Sequence, residues 1–271
     1  MTTVNLIELG ATADEERRRR HGAKTTFVRV LELHFDAVPD ALPAGATAGE
    51  LRIAGRPATL DAAVAAVRKA TGIQGAPPLT AFSTADLADL ATASGSSLDA
   101  VFAALAAAGL ARLAECPIDG GDDPIAIVRS AKAAGLEASR LTVHGNPEAP
   151  LTDAQVEGLI ARAVEIQSAV GGVRAFAPLP RVSSVAHPST GYDDVTAIAR
   201  ARLGASNIDS IQVDWSLYGP KLAQVALTMG ADDVDGVSPL EGNLGRRRSP
   251  IEEIKGNITA AGLDPVERQA W

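Results

Sequence analysis

Cysteine and aromatic residues are scarce in this sequence. Cys116 is the single cysteine among 271 residues, which excludes an internal disulfide and a zinc or iron–sulfur site built from several thiolates of this chain. Aromatic residues make up only 3% of the chain, so the core must consist mainly of alanine, valine, leucine and isoleucine. Because hydrophobic content is 46% and charged content 21%, the composition favours a folded chain with a sizeable core.

Excess positive charge and long apolar runs are also missing. The formal net charge of −8 argues against nucleic acid or an anionic membrane as a partner, since either requires a basic surface. The basic runs 17–20 and 246–248 are interpreted as solvated exceptions. No apolar stretch reaches the length of a membrane span, and the first 20 residues lack the order of a signal peptide. We therefore expect a cytoplasmic protein without a membrane partner.

Strand-like and helix-like segments alternate along the chain. The predicted strands are residues 25–37, 50–55, 78–82, 110–115, 139–145, 173–180, 208–215 and 232–239. Regular alternation of this kind indicates a parallel sheet, and the chain length suits an α/β fold, a single (β/α)8 TIM-type barrel. Residues 39–49 are too rich in proline and glycine for a full helix, so the first β/α unit is shortened.

Domain organisation follows from the absence of a linker-like composition. We predict one barrel domain over residues 1–271, with an N-terminal helix at about residues 1–20 and a C-terminal helix and tail at about residues 249–271.

Polar residues follow the predicted strands, where barrel enzymes carry their functional groups. A polar mouth on an alanine-rich barrel is typical of a ligand pocket. The candidate catalytic residues are His34, Asp36, His144 and Asp214. The candidate ligand-binding residues are Arg56, Thr84, Glu115, Asn146, Arg181, Trp215, Tyr218, Lys221 and Glu241.

Several of these residues have more than one interpretation. His34 and Asp36 alternate along one face of the first strand and could bind a metal with His144 or simply fill space through hydrogen bonds. No ligand spacing is diagnostic, so no metal site is predicted. The stretch from His144 to Asn146 could contact a ligand or cap its own loop. Cys116 is interpreted as a small buried apolar group rather than a nucleophile.

The segments after strands six and seven are also ambiguous. Arg181 suits a carboxylate or phosphate, but an ion pair with Asp193 or Asp194 is the alternative. Trp215 could stack on a flat ring, and the helix start near Tyr218 and Lys221 could receive an anion.

Residues 190–236, TGYDDVTAIARARLGASNIDSIQVDWSLYGPKLAQVALTMGADDVDG, carry a family resemblance. They are similar to the C-terminal half of the radical SAM enzymes of the futalosine route to menaquinone, which include aminofutalosine synthase, the cyclic dehypoxanthinyl futalosine synthase and the deazaflavin-forming FO synthase. The ending ITAAGLDPVERQAW resembles the end of aminofutalosine synthase, and HGAKTTFVRV resembles the family's approach to its first strand. The resemblance implies a barrel whose strand-seven segment faces a substrate.

The sequence departs from this family after its first strand. The family carries a CxxxCxxC loop that holds a [4Fe–4S] cluster, whereas this chain reads LELHFDAVPDALPAGATAG. The glycine pair that contacts S-adenosylmethionine (SAM) in the family is replaced by Ile53-Ala54-Gly55. We therefore predict that the chain takes no cofactor, neither the cluster nor SAM.

Two functional hypotheses follow. The first is a cluster-free paralogue of aminofutalosine synthase, a pseudoenzyme without radical chemistry. It would bind a nucleoside-like or aromatic carboxylate ligand in or beside menaquinone biosynthesis, with a menaquinone-pathway enzyme or a second copy of the chain as partner. The alternative is an independent lyase or hydrolase that uses polar acid–base chemistry at the barrel mouth. Two candidate catalytic side chains within hydrogen-bond reach beside an open pocket would favour the enzyme.

Overall fold

A computed structural model describes residues 5–240 and 250–271, and in it eight parallel strands close into a barrel with helices between them. The strands are β1 (Lys24–His34), β2 (Glu50–Ala54), β3 (Leu79–Ser83), β4 (Leu113–Pro117), β5 (Arg140–Gly145), β6 (Ala175–Val182), β7 (Ser210–Asp214), β8 (Asp233–Val237) and β9 (Asp264–Glu267). The helices are α1 (Leu6–His21), α2 (Leu60–Thr71), α3 (Thr84–Ser94), α4 (Leu98–Ala107), α5 (Pro124–Ala133), α6 (Asp153–Val170), α7 (Gly191–Gly204), α8 (Trp215–Leu227) and α9 (Pro250–Ala260). The prediction of a (β/α)8 TIM-type barrel is confirmed.

The long strand β1 closes the barrel. Its C-terminal half pairs with β2, from Val30 opposite Glu50 to His34 opposite Ala54, and its N-terminal half pairs with β8. The ninth strand, β9, which the sequence did not predict, pairs in parallel with residues 24–27 of β1. Residues near the end of the sequence therefore complete the N-terminal end of the barrel.

The first β/α unit is shortened, as predicted, because the described residues 35–49 form turns and extended chain without a helix. Two helices, α3 and α4, connect β3 and β4. Both begin at a serine N-cap, since Ser83 accepts a hydrogen bond from the backbone N–H of Ala85 and Ser97 accepts one from Ala100.

The apolar core lies between the strands and the surrounding helices. Along β5, Leu141 and Val143 pack into this outer core, whereas Arg140 points into the lumen, as the two-residue period of a strand requires. Small side chains such as Ala63 and Ala66 on α2 let the helices approach the sheet. The lumen of the barrel, by contrast, is lined by polar side chains, and the candidate site lies at its C-terminal end.

Among the described residues, no single helix is both long and apolar enough to cross a membrane; α3 and α4 meet the length and hydropathy criteria only as a pair bent by 112°.

Candidate ligand site at the barrel mouth

A cavity of about 270 Å³ opens at the C-terminal ends of the strands, and residues from β1 to β7, α3 and α8 line it. Three predicted site residues, Glu115, Arg181 and Asp214, meet there. Phe82 also lines the cavity, with a φ of 59° that is unfavourable for a bulky residue. Backbone strain of this kind clusters at functional sites, so it supports this cavity as the candidate site.

The floor of the cavity is a buried network of charges centred on Asp235. Arg52 donates two hydrogen bonds of 2.9 Å to the carboxylate of Asp235 and one of 2.8 Å to Glu50. Arg140 donates through Nη1 to the same carboxylate and through Nε to the carbonyl of Ala114, at 3.0 Å. Burial opposes ionisation of Asp235, but the charges of Arg140 and Arg52 outweigh burial and hold its pKa well below the usual value. The network closes the lumen beneath the cavity.

The wall of the cavity is a second chain of charges that crosses three strands. Arg181 on β6 lies 2.7 Å from Glu115 on β4 through Nε and donates to Asp214 on β7 at 2.8 Å through Nη1. Burial opposes the charge on Arg181, yet Glu115 and Asp214 raise its pKa above the usual value. Its guanidinium is therefore occupied by protein carboxylates, although the sequence suggested a ligand anion for it.

Asp214 also binds the N-terminus of α8, where the sequence analysis predicted that an anion could bind. Its Oδ1 accepts hydrogen bonds from the backbone N–H of Ser216 at 2.9 Å and of Leu217 at 3.2 Å, so it caps α8. The helix is interrupted at Gly219, whose φ of 75° and ψ of 171° are not helical. The first turn of α8 is thus held by Asp214, and the remainder begins after the break.

Three polar groups in the cavity retain free hydrogen-bonding capacity. Glu32 and Asp86 line it without a hydrogen bond or an ion pair to any described residue. Burial, reinforced by the charge of Glu115, raises the pKa of Asp86 above its usual value. The Nη2 of Arg140 lies 3.6 Å from the carboxylate of Glu115, which is too long for a hydrogen bond. The cavity therefore offers a buried cationic donor below and carboxylate acceptors near its rim.

His34 and Asp36 form a dyad at the rim. Nδ1 of His34 lies 2.5 Å from Oδ1 of Asp36, and the imidazole ring rests on Gly55, which lines the cavity. A Cβ on Gly55 would lie 2.4 Å from Nε2 of His34, so only glycine permits this position. Two of the four candidate catalytic side chains thus converge beside an open pocket.

The other candidates up to the end of β5 lie elsewhere. Arg56 pairs with the exposed Asp89 at 2.7 Å. Thr84 is buried and hydrogen-bonds to Cys116, whose thiol has its pKa raised by burial to about 11. The exposed His144 is anchored by its backbone N–H, which donates to Asp119.

The candidates after β5 that do not line the cavity divide between two outer surfaces. Asn146 borders a separate groove between α6 and α7. Trp215 packs against the outer core, and Tyr218 donates to the carbonyl of Pro180 at 2.5 Å. Tyr218 and Lys221 line a shallow apolar surface beside α7. Glu241 lies outside the described residues.

Sequence reasoning missed Glu32, Asp86 and Arg140. Glu32 could have been found, since it precedes His34 by two residues and so shares its face. Asp86 lies in the first turn of α3, and Arg140 lies at the start rather than the end of β5, so neither position carried a signal. Among residues 5–240 and 250–271, no group of three or more His, Cys, Asp or Glu side chains is arranged to hold a metal ion.

Comparison with curated proteins gives partial matches, and no protein-family model matches the chain. The 5-amino-6-(D-ribitylamino)uracil–L-tyrosine 4-hydroxyphenyl transferase 1 of Methanosarcina barkeri is 31% identical over 162 residues, which are 53% of this chain and 42% of that protein. The corresponding transferase of Archaeoglobus fulgidus is 36% identical over 118 residues, 38% of this chain and 34% of that protein. The aminodeoxyfutalosine synthase of Thermus thermophilus is 31% identical over 159 residues, 53% of this chain and 42% of that protein. The chain thus spans less than half the length of these relatives.

Comparison with solved structures supports the fold. The [FeFe]-hydrogenase maturase HydG superposes with a TM-score of 0.63 at 12% identity, over 96% of this chain and 68% of that one. Methylornithine synthase (PylB) superposes with a TM-score of 0.60 at 13% identity, over 98% and 91%. The similarity to aminodeoxyfutalosine synthase confirms the resemblance to radical SAM enzymes that the sequence indicated, and these two barrels confirm the fold.

The prediction that the chain takes no cofactor is contradicted by this relationship. The radical SAM group binds a [4Fe–4S] cluster and SAM, so the relatives point towards cofactors. The residues of this chain do not, however, fit such a cluster by themselves, because Cys116 is its one thiol, lies buried on β4 and has a raised pKa. The side chains of this barrel alone therefore support no chemical step through a cluster.

Proposed function

We propose that the barrel binds a small nucleoside-like or aromatic carboxylate ligand in its mouth cavity, in or beside menaquinone biosynthesis. The pathway assignment is supported by the similarity to aminodeoxyfutalosine synthase. The relatives named for 5-amino-6-(D-ribitylamino)uracil and L-tyrosine have substrates of related chemistry, a polar ring with a hydroxylated chain and an aromatic amino acid.

The observation that carries this proposal is the set of uncommitted polar groups in the cavity. Nη2 of Arg140 would donate to a carboxylate or ring carbonyl of the ligand, because its other two nitrogens are already bonded. Asp86 and Glu32 would accept from ligand hydroxyl or amino groups. Arg181 would act indirectly, by holding Glu115 and Asp214 in place. A buried donor and two acceptors in one cavity discriminate against ligands that leave them unpaired.

Calorimetry with futalosine, adenosine, chorismate-derived aromatic carboxylates and SAM tests the proposal. We expect at least one compound to bind the wild-type chain and D86N to weaken that binding by about tenfold or more, since a hydrogen bond to a charged group contributes about 1.5–3 kcal/mol. D89N on the same helix is the matched control, because Asp89 pairs with Arg56 outside the cavity. Absence of binding by every compound, or equal binding by D86N and wild type, contradicts the proposal.

The His34–Asp36 dyad favours a second candidate, polar acid–base chemistry. Asp36 would hold the proton on Nδ1, which leaves Nε2 free to take a proton from a ligand carbon or a water molecule. Exchange of ligand protons into D2O, followed by NMR, tests this function. We expect H34Q to abolish exchange and D36N to slow it. Exchange at the wild-type rate in H34Q would exclude this role for His34.

We also propose a partner, a menaquinone-pathway enzyme or a second copy of this chain. Light scattering coupled to size-exclusion chromatography is the test, and a monomeric mass alone and with the pathway enzymes would refute the proposal.

A further inference from the structure

A second cavity lies outside the lumen, between α6 and α7 against the outer side of β6. It encloses about 60 Å³ and opens to solvent, so it accommodates the end of a small molecule rather than a nucleoside. Its apolar lining includes Leu179 on β6, Leu151 before α6 and Val156 on α6. The backbone of β6 separates it from the mouth cavity, because Leu179 packs outward and Arg181 points inward.

Asp194 is the polar group that distinguishes this groove. It is 8% exposed, and no ion pair to it occurs among the described residues. The hydroxyl of Ser189 is its hydrogen-bond partner. Burial raises the pKa of Asp194 above its usual value, and the neighbouring charge of Asp193 adds to the shift.

The other charged groups in the groove already have partners. Asp193 accepts from the backbone N–H and the hydroxyl of Thr190 in a capping box. Asp153 accepts from Arg200 at 3.1 Å, and this pair forms part of the lining. Among the described residues of the lining, Asp194 is therefore the carboxylate without an ion-pair partner or a capping role, and apolar side chains lie in the same groove. A buried carboxylate of this kind is stabilised by a cation that also donates hydrogen bonds.

We propose that this groove binds the end of a small primary amine. The ammonium group donates to the carboxylate of Asp194, and the attached hydrocarbon packs against Leu151, Val156 and Leu179. An anion is disfavoured because Asp153, Asp193 and Asp194 outnumber Arg200 in the lining. A pocket that combines apolar side chains with a few convergent polar groups is the common form of a small-molecule site.

Calorimetry and thermal shift with benzylamine and n-butylamine test the proposal, with benzyl alcohol and n-butanol as uncharged probes. We expect the amines to bind and raise Tm, the alcohols to have no effect, and D194N to weaken amine binding by tenfold or more. D122N is the matched control, because Asp122 is exposed and does not line the groove, and we expect it to bind like wild type.

A second variant keeps the test independent of the folding of D194N. V156F fills the groove with a larger apolar side chain and leaves Asp194 intact, so we expect it to abolish the amine response. Wild-type response to amines in V156F or in folded D194N would overturn the proposal, as would the absence of any response in wild type. The result is separable from the mouth-ligand proposal, since D86N should bind the amines unchanged.

Discussion

Burial and neighbouring charges affect the two partners of the buried Arg140–Asp235 ion pair differently. Asp235 is held by two arginines, which keep its pKa low. Burial lowers the pKa of Arg140, and repulsion from Arg52 lowers it further, against the attraction of Asp235. Loss of the carboxylate would leave two buried cations facing each other, whereas loss of Arg140 leaves Asp235 paired with Arg52.

We therefore expect D235N to reduce the free energy of unfolding by about 3–5 kcal/mol, because it leaves Arg52 and Arg140 buried without their shared carboxylate. We expect R140L to reduce it by less, because this substitution removes the repulsion between the two arginines. Urea denaturation monitored by circular dichroism measures both. R112A is the control, because the partly exposed Arg112–Glu137 pair should contribute at most about 1 kcal/mol. An equal loss for D235N and R112A would contradict this account of the floor.

The same carboxylate gives the stability a pH dependence. The pKa of Asp235 is lower in the folded than in the unfolded chain, so its contribution is complete above the ordinary carboxyl value of 3.8 and disappears as the pH falls through the folded value. We expect wild type to lose stability as the pH falls from 5 to below about 3, and D235N to lose less over that window. Denaturation midpoints across this pH series provide the measurement, and parallel curves would contradict the assignment.

Asp86 affects the pH dependence of stability in the opposite direction. Its pKa is raised in the folded chain, so the ionised form costs stability at neutral pH and the cost disappears as the pH falls through the raised value. We expect D86N to be more stable than wild type at pH 7, by less than about 1 kcal/mol because the side chain is partly exposed, while it binds the mouth ligand more weakly. Thermal melts at pH 7 and pH 4 measure this, and a D86N protein less stable than wild type at pH 7 would contradict it.

At the scale of elements, β9 and the segment after it fasten the N-terminal end of the barrel. Arg268 donates to both oxygens of the buried Asp233, at 2.6 and 2.7 Å, and its guanidinium lies 4.2 Å from the ring centre of Trp271. The backbone N–H of Ala270 donates to Gly49, just before β2. These contacts stabilise the part of the barrel where the N-terminal half of β1 pairs with β9, while its C-terminal half pairs with β2.

We expect R268A to reduce the free energy of unfolding by about 3 kcal/mol, because Asp233 would lose its ionic partner in the interior. R29A is the matched control, since Arg29 joins β1 to Glu267 of β9 through a more exposed pair at 2.7 Å and should cost at most about 1 kcal/mol. Chemical denaturation measures both. Equal decreases in the free energy of unfolding would show that the bidentate contact between Arg268 and Asp233 does not specifically stabilise this segment.

At the scale of the whole molecule, the fold was predictable and much of the site was not. Eight apolar strands recur along the chain and helices follow seven of them, so local capping signals such as Ser83 and Ser97 agree with the barrel. A four-residue strand such as β9 has no such repetition. The site depends on ion pairs between distant strands, such as the pair between Arg140 and Asp235. These pairs cannot be assigned from one sequence, because any carboxylate in the lumen could be the partner of Arg140.

The position of Cys116 inside the barrel wall gives a global probe of unfolding. Its thiol is buried and has a pKa of about 11, so at pH 8 it is protonated and shielded from reagents. We expect a thiol reagent such as DTNB to label the native chain only as fast as the protein unfolds, and to label it at once in urea. Rapid labelling of the native protein at pH 8 would show that this part of the wall opens locally.

The contact between β1 and β9 joins residues 24–27 to residues 264–267. During synthesis on the ribosome, β1 must wait until residues 264–267 have emerged before this ladder can form. Pairings between such distant segments slow folding, and the waiting strand edge exposes backbone groups to other chains in the meantime. Nascent chains stalled before residue 264 should accordingly be prone to aggregation and to capture by chaperones.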